Sequence, residues 1–203
     1  MLTTQSDIDD FKIQFSLPRY SEEQDIALVY AAICNAKPIL LESPKLSVDS
    51  SFDLQSDFGV DIQENSKFQQ ILDNIDEIIR RNILEHNLDM NFHGSTNKGC
   101  FKPKLLVDDS THRQTKFFLP NKKDAELNMN AKTIQKLLKN TQVRLICRLD
   151  GYYMNLSQKG ARPLWYVEQC LIVDNLVNNP VAKKYHFLDD DIAPYHLDKK
   201  SIS

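Results

Sequence analysis

Residues 141–174 constrain the fold more than any other part of the chain. Apolar residues at every second position of 143–149 alternate with Arg144, Ile146 and Arg148. This period of two predicts a strand with one buried face and one wetter face. The two arginines should therefore project together on the wetter face.

Asp150 and Gly151 have the chemistry of a tight hairpin turn, because glycine adopts positive φ without strain. Residues 152–156 then have the pattern of a returning strand. After a polar, basic loop at 157–163, the apolar run 164–173 is typical of a central strand. The stretch predicts a three-stranded antiparallel meander, and it contains no catalytic motif.

The rest of the chain predicts short strands and three helices. The strands are expected at 11–15, 38–41, 45–48, 58–62, 101–107 and 115–119. A capping box at Ser21 and Gln24 predicts a helix over 22–35, and a second at Ser66 and Gln69 begins a longer helix with an Ile-rich stripe. Its opposite, polar side includes Asp76. A third, short helix is expected at 131–140.

This order of elements indicates an α+β fold, mainly antiparallel sheet, with one long and two shorter helices. A small, partly open barrel of the oligonucleotide-binding (OB) type fits it best, and a β-sandwich is the alternative. We expect residues 1–36 to be an N-terminal strand and helix packed on a core domain of residues 37–177. Residues 178–203 have the composition of a flexible tail, with acidic and basic residues in separate blocks.

Charge is distributed unevenly along the 203 residues, whose formal net charge is −3. Residues 1–79 carry 15 acidic and 5 basic side chains, whereas residues 95–165 carry 14 basic and 5 acidic ones. Binding of a polyanion follows the local field more than the net charge, so the second segment is a candidate nucleic-acid-binding region.

Several function classes are disfavoured. With only five glycines and neither a P-loop nor a GxGxxG pattern, a nucleotide-phosphate loop is not expected. Cys34, Cys100, Cys147 and Cys170 are widely separated, which favours reduced thiols over disulfides, and no metal-ligand spacing is found. We therefore expect no cofactor, no metal and no enzyme activity. The longest uncharged apolar run has nine residues, so neither a membrane span nor a secretory signal is expected.

A family resemblance is carried by six segments between Lys37 and Asp174. They are PILLESPKLSV, FGVDI, SKFQQILDNIDEIIRRNI, FKPKLLV, IQKLLKNTQVRLICRLDGYYMNL and PLWYVEQCLIV. In this series the chain resembles the single-stranded DNA-binding proteins of nucleocytoplasmic large DNA viruses, and a related cytoplasmic element could encode such a protein. The resemblance implies an OB-type fold and protection of exposed strands in replication, recombination or repair. It also implies a location in the cytoplasm or nucleus of a host cell.

Single-stranded DNA binding needs cations for phosphates and flat side chains for bases. The candidate residues are Lys102, Lys104, Arg113, Lys116, Arg144, Arg148, Tyr152, Tyr153, Lys159 and Arg162. Strand neighbours face opposite ways, so one of Tyr152 and Tyr153 should face the groove, and one of Phe117 and Phe118 should be buried. Trp165 is in phase with core residues and is expected inside.

Two partner classes stay open. The main expectation is single-stranded DNA, with replication proteins as further partners of the acidic tail and oligomers possible. The alternative is a structural or scaffolding protein of a virus particle or replication complex, which would use the Ile-rich helix or a sheet edge to bind protein.

Overall fold

The computed structural model describes residues 13–21, 25–32, 38–48, 58–86, 88–106, 114–119, 138 and 141–173, with two short strands at 125–126 and 181–182. Its strands are β1 Gln14–Phe15, β2 Arg19–Ser21, β3 Ile26–Ala32, β4 Ile39–Glu42, β5 Leu46–Val48, β6 Val60–Asp61, β7 Asn91–Phe92, β8 Thr96–Asn97, β9 Cys100–Phe101, β10 Lys104–Leu105, β11 Lys116–Phe118, β12 Ala125–Glu126, β13 Gln142–Asn155, β14 Gly160–Ile172 and β15 Val181–Ala182. The described helix, α1, is Ser66–Glu85.

A long antiparallel hairpin organises the sheet. β13 and β14 pair from Val143 opposite Ile172 to Asn155 opposite Gly160, and a turn at 156–159 joins them. β13 also pairs antiparallel with β3, β4 and β5 along its other edge. β7, β10 and β11 add short parallel pairings to β14. Thirteen strands form this one sheet, and β12 and β15 form a separate pair.

The predicted turn at Asp150-Gly151 is wrong, because β13 runs straight through both residues. Gly151 has φ +135°, and a Cβ there would lie 1.9 Å from the carbonyl oxygen of Val29 on β3. The glycine therefore serves the close approach of a neighbouring strand rather than a change of direction. The chain turns later, where Lys159 takes a positive φ of 49°. There the backbone N–H of Gln158 donates a hydrogen bond to the side-chain oxygen of Asn155.

Two β-bulges interrupt the hairpin. Arg148 pairs with Tyr166 and Gly151 pairs with Leu164, while the register shifts between Leu149 and Gly151 and again between Ile146 and Cys147. Asp150 on β13 is the extra residue of the first shift. Glu168 on β14 is the extra residue of the second. Because bulges re-aim side chains, both carboxylates are placed by these irregularities.

The N-terminal helix predicted at 22–35 is wrong where the chain is described, since residues 26–32 form β3. Ala27, Val29 and Ala31 are buried and the residues between them are not, which is the alternation of a strand. A short apolar run fits both periods, and the free edge of β13 decides between them by pairing with β3 along Gly151–Asn155.

The long helix is confirmed, and its apolar face packs on one side of the sheet. Phe68, Leu72, Ile75, Ile79 and Ile83 are buried in the same cluster as the inward side chains of β13. Ser66 does not cap it: the N-cap is Asn65, which makes no side-chain capping bond. We call the sheet face that packs on α1 the inner face, and the opposite one the outer face.

The predicted fold class is confirmed at the level of an α+β protein built mainly on antiparallel sheet. The described sheet is not closed into a barrel. One helix is described, where three were predicted; of the third, only buried Leu138 falls within the described residues. Most of the predicted tail also lies outside them. Within the described ranges, no helical segment combines the length and apolar composition that a membrane span requires.

Candidate nucleic-acid interface

Core side chains pack the inner face in the part of the chain that the structure describes. Tyr152 is fully buried there; its hydroxyl donates to Asn82 Oδ1 at 2.8 Å and its ring meets Phe15 edge-on at 5.8 Å. Trp165 is buried against Phe101, as predicted. Tyr152 is therefore a core residue on the face away from Tyr153.

Three buried residues are linked by hydrogen bonds within this core. Asp76 on α1 accepts hydrogen bonds from the amide and hydroxyl of Ser95, both at 2.6 Å, and Ser95 Oγ accepts one from Trp165 Nε1 at 2.8 Å. Burial raises the pKa of Asp76 to about 6, although the Ser95 bonds oppose the rise. The prediction that Asp76 lies on the polar side of the helix is wrong; it ties α1 to the loop before β8.

On the outer face, one row of side chains crosses four adjacent strands. Arg19 on β2 is opposite Leu28 on β3, Leu28 is opposite Tyr153 on β13, and Tyr153 is opposite Arg162 on β14. The Arg162 guanidinium lies 4.6 Å from the centre of the Tyr153 ring. A basic side chain thus stands at each end of the row and an aromatic ring within it.

A second Arg–Tyr stack adjoins this row. Tyr30 follows Leu28 by two residues on β3, so it shares the outer face, and the Arg19 guanidinium lies 5.2 Å from the centre of its ring. Tyr30 is opposite Gly151, which in turn is opposite Leu164. Tyr30 and Tyr153 are therefore diagonal neighbours on adjacent strands, and the Cα atoms of such neighbours are about 7–8 Å apart.

A further row lies beyond the first bulge, where Leu40, Arg148, Tyr166 and Lys104 are consecutive partners on β4, β13, β14 and β10. Arg148 is held by both bulge carboxylates: Nε lies 2.6 Å from Asp150 Oδ1 and Nη1 lies 2.7 Å from Glu168 Oε1. We call these rows the open end of the outer face. Its residues are Arg19, Leu28, Tyr30, Lys104, Arg148, Asp150, Tyr153, Arg162, Leu164, Tyr166 and Glu168.

The outer face is covered at its other end. Arg144 and Glu42 form an ion pair of 2.5 Å with side chains only 8% and 9% exposed. Phe118, Ile146 and Leu171 form a small buried cluster beside them, with Leu40 packed against it. The prediction that Arg144 and Arg148 project together into solvent is wrong. Arg144 is buried, and Arg148 forms ion pairs with two carboxylates.

The other predicted residues are scattered. Lys104 and Lys116 are exposed on the outer face, since their partners Tyr166 and Gln169 face outward. Lys102 is exposed beside buried Pro103, and Lys159 is at the hairpin turn, 4.0 Å from Asp89. Arg113 lies outside the described residues.

Phe117 and Phe118 are both buried, so the expectation that only one of them is buried is wrong. Phe117 enters the inner core and Phe118 the covered outer cluster. Cys147 and Cys170 are buried, and desolvation raises the pKa of both thiols, so neither is placed to react with solutes at neutral pH.

Sequence reasoning missed Arg19, Tyr30 and Tyr166. Tyr30 falls within residues 22–35, which the sequence predicted to form a helix, and Arg19 precedes that segment. The sequence signal that could have found them is the alternation of Ala27, Val29 and Ala31, which is typical of a strand. These small and β-branched residues fit a strand that lies against Gly151 of β13.

The described ranges contain no group of three His, Cys, Asp or Glu side chains arranged to hold a metal ion. Neither the protein-family models nor the curated proteins compared with this sequence give a match.

Proposed function

We propose that this protein binds single-stranded DNA without catalysis and protects exposed strands in replication, recombination or repair, with the open end of the outer face as its contact surface. The row Arg19–Leu28–Tyr153–Arg162 carries the proposal. Bases stack on aromatic rings and on guanidinium planes, at roughly 1–3 kcal/mol per base, without regard to sequence. Two adjacent Arg–Tyr stacks fit consecutive bases of one strand.

The distribution of charge supports phosphate contacts at the margins of this surface. In the part of the chain that the structure describes, Arg144 and Arg148 pair with carboxylates, whereas Arg19 and Arg162 have no ion-pair partner. Lys104 and Lys116 extend the exposed cationic margin on the β10 and β11 side. The phosphates would thus follow Arg19, Arg162 and the two lysines rather than the two arginines that alternation favoured.

The relation to the OB-type proteins of large DNA viruses is part of the same proposal. Proteins of that type bind strands on a sheet face flanked by loops. A mainly antiparallel sheet with an aromatic and basic outer face would serve the same role even without closure into a barrel. The six sequence segments support this relation.

Protein scaffolding remains the second candidate, and one observation favours it. Leu17 and Leu84 are 79% and 63% exposed, so a partner protein could bury both side chains. The Ile-rich stripe of α1, however, is packed on the sheet and cannot also bind a partner. A scaffold would have to use these two leucines or a strand edge.

Fluorescence anisotropy of a labelled single strand of about 16 nucleotides, the upper end of known site sizes, tests the proposal. We expect binding at about 50 mM salt, with a log–log salt slope of about −2 if about three phosphates are neutralised. Arg162→Ala should weaken binding at least about fivefold, since it removes a phosphate contact and half of a stack.

Arg80→Ala is the matched control. Arg80 is also an exposed arginine stacked on an aromatic ring, with its guanidinium 5.4 Å from the centre of the Phe92 ring, but it belongs to α1. Its loss should leave affinity within about twofold of the parent protein. Absence of binding by the parent, or equal losses in the two variants, would reject the outer face as the interface.

A further inference from the structure

The Tyr153 ring carries a guanidinium on one of its faces. The Arg162 guanidinium lies over this ring, 4.6 Å from its centre. The ring is half-buried and the arginine is exposed, so the arginine is the outer member of the stack. A base cannot stack on a ring face that a guanidinium already occupies. The flat group that a base meets at this stack is therefore the guanidinium.

The contact with the ring leaves the charge of Arg162 open to a ligand. Within the part of the chain that the structure describes, no hydrogen bond or ion pair holds its guanidinium, whereas Arg144 and Arg148 on the same face pair with carboxylates. The N–H groups of a guanidinium lie in its plane and point sideways from a stack. One side chain can therefore offer a flat face to a base and an edge to the neighbouring phosphate.

The ring also prepares the arginine for binding. An arginine side chain has many rotamers, and a ligand that fixes it reduces this freedom. Contact with Tyr153 restricts the side chain before the strand arrives, so less freedom is lost on binding. The adjacent strand β3 repeats the arrangement, since the Arg19 guanidinium lies over the Tyr30 ring at 5.2 Å from its centre.

We propose that the Arg162 guanidinium is the platform on which a base of the bound strand stacks, and that Tyr153 is the residue that positions it. Nucleobases stack on guanidinium planes as they do on aromatic rings. This inference rests on the proposed function and assigns the base contact to the arginine rather than to the tyrosine. It gives Arg162 a role that a positive charge alone does not fill.

Arg162→Lys separates stacking from charge, because lysine keeps the positive charge but has no flat group. In fluorescence anisotropy with a labelled strand of about 16 nucleotides, this variant should bind about tenfold more weakly than the parent, within the range for one stacked base. The log–log salt slope should stay as in the parent, because the number of neutralised phosphates is unchanged. A strand of equal length whose sugars carry no bases should bind the variant and the parent equally, since it offers only phosphates.

A double variant tests Tyr153 as a positioning residue. Tyr153→Leu should weaken binding about threefold, since the guanidinium then loses freedom on binding that the ring had already restricted. In the Arg162→Lys background the same change should cost less than about twofold, because residues that act together are not additive. Losses that multiply independently would show that the ring contacts the base itself and would refute the positioning role.

Arg80→Lys is the matched control, because Arg80 is also stacked on an aromatic ring, Phe92, but belongs to α1. It should leave affinity within about twofold of the parent. Circular dichroism of each variant, with thermal unfolding, checks that the fold is retained. An equal loss in Arg80→Lys and Arg162→Lys would refute the platform.

The remaining outcomes separate the two proposals. If the parent binds no single strand, the proposed function fails, and the platform falls with it. If the parent binds and Arg162→Lys binds as tightly, single-strand binding stands and the platform is refuted. A loss that is equally large for the strand without bases, or that comes with a reduced salt slope, would assign Arg162 to a phosphate contact alone and would also refute the platform.

Discussion

The two ends of the outer face use arginine in opposite ways. At the covered end, Arg144 is buried and paired with Glu42 beside an apolar cluster. At the open end, Arg162 lies in solvent over the ring of Tyr153. Both residues face outward from the same hairpin, so their places in the two strands do not distinguish them. Whether another part of the chain covers a face decides between a structural ion pair and a surface that can meet a ligand.

The same contrast recurs at two other places. On α1, Asp73 is exposed while Asp76, three residues on, is buried and bonded to Ser95. On β13, Tyr152 and Tyr153 are sequence neighbours, one in the core and one on the outer face. Each pair compares one residue type in a covered and an open position.

The largest effect is expected from Arg144→Ala. It leaves the Glu42 carboxylate buried without its charged partner, and such losses cost about 3–5 kcal/mol of unfolding free energy. Urea denaturation followed by circular dichroism measures this. Arg162→Ala should stay within about 0.5 kcal/mol, as for most surface substitutions. Similar losses in both variants would break the contrast between the two ends.

The pH dependence of stability should distinguish Asp76 from Asp73. The folded-state pKa of Asp76, about 6, is above its unfolded value of 3.8, so the folded state binds more protons between these values. Stability is therefore favoured below pH 3.8 and is lost as the pH rises through about 6, by about 3 kcal/mol for this group.

Asp76→Asn should remove that dependence, so the stability of the parent relative to this variant should fall between pH 4 and pH 7, about the window of the shift. Asp73→Asn should reduce the slope only slightly, because the Asp73 charge is a minor cause of the raised pKa of Asp76. Urea denaturation at several pH values measures both. If the stability of the parent protein did not fall over this pH range, Asp76 would have to be hydrated in solution, with an ordinary pKa.

The smallest difference in stability is expected between Tyr152→Phe and Tyr153→Phe. The first removes the hydrogen bond from Tyr152 to Asn82 and leaves a partly buried amide oxygen without it, which should cost about 1 kcal/mol. The second removes a hydroxyl from the outer face, where water replaces it, and should be close to neutral. Thermal unfolding monitored at equal protein concentration measures both. A larger loss in Tyr153→Phe would show that the open end is also stabilised by its hydroxyl groups.

How much of the candidate site was predictable differs from residue to residue. The alternation around Tyr153 correctly placed one tyrosine of the pair outside and the other inside. Arg162 followed from its position in a basic stretch. Arg19 and Tyr30 could not be found, because seven residues of mixed apolar character fit a helix and a strand equally well. Only the pairing of β3 with β13 resolves that ambiguity.

Local pattern by itself determined the long amphipathic helix, the strand character of 143–149 and 164–172, and the burial of Trp165. These features depend on the period of the apolar residues, which is written in neighbouring positions. Tertiary structure alone decided that Gly151 admits β3, that Asp150 and Glu168 become bulge residues around Arg148, and that one end of the outer face is covered. Each of these depends on a contact between residues distant in the chain, and a local pattern carries no information about which distant segment arrives.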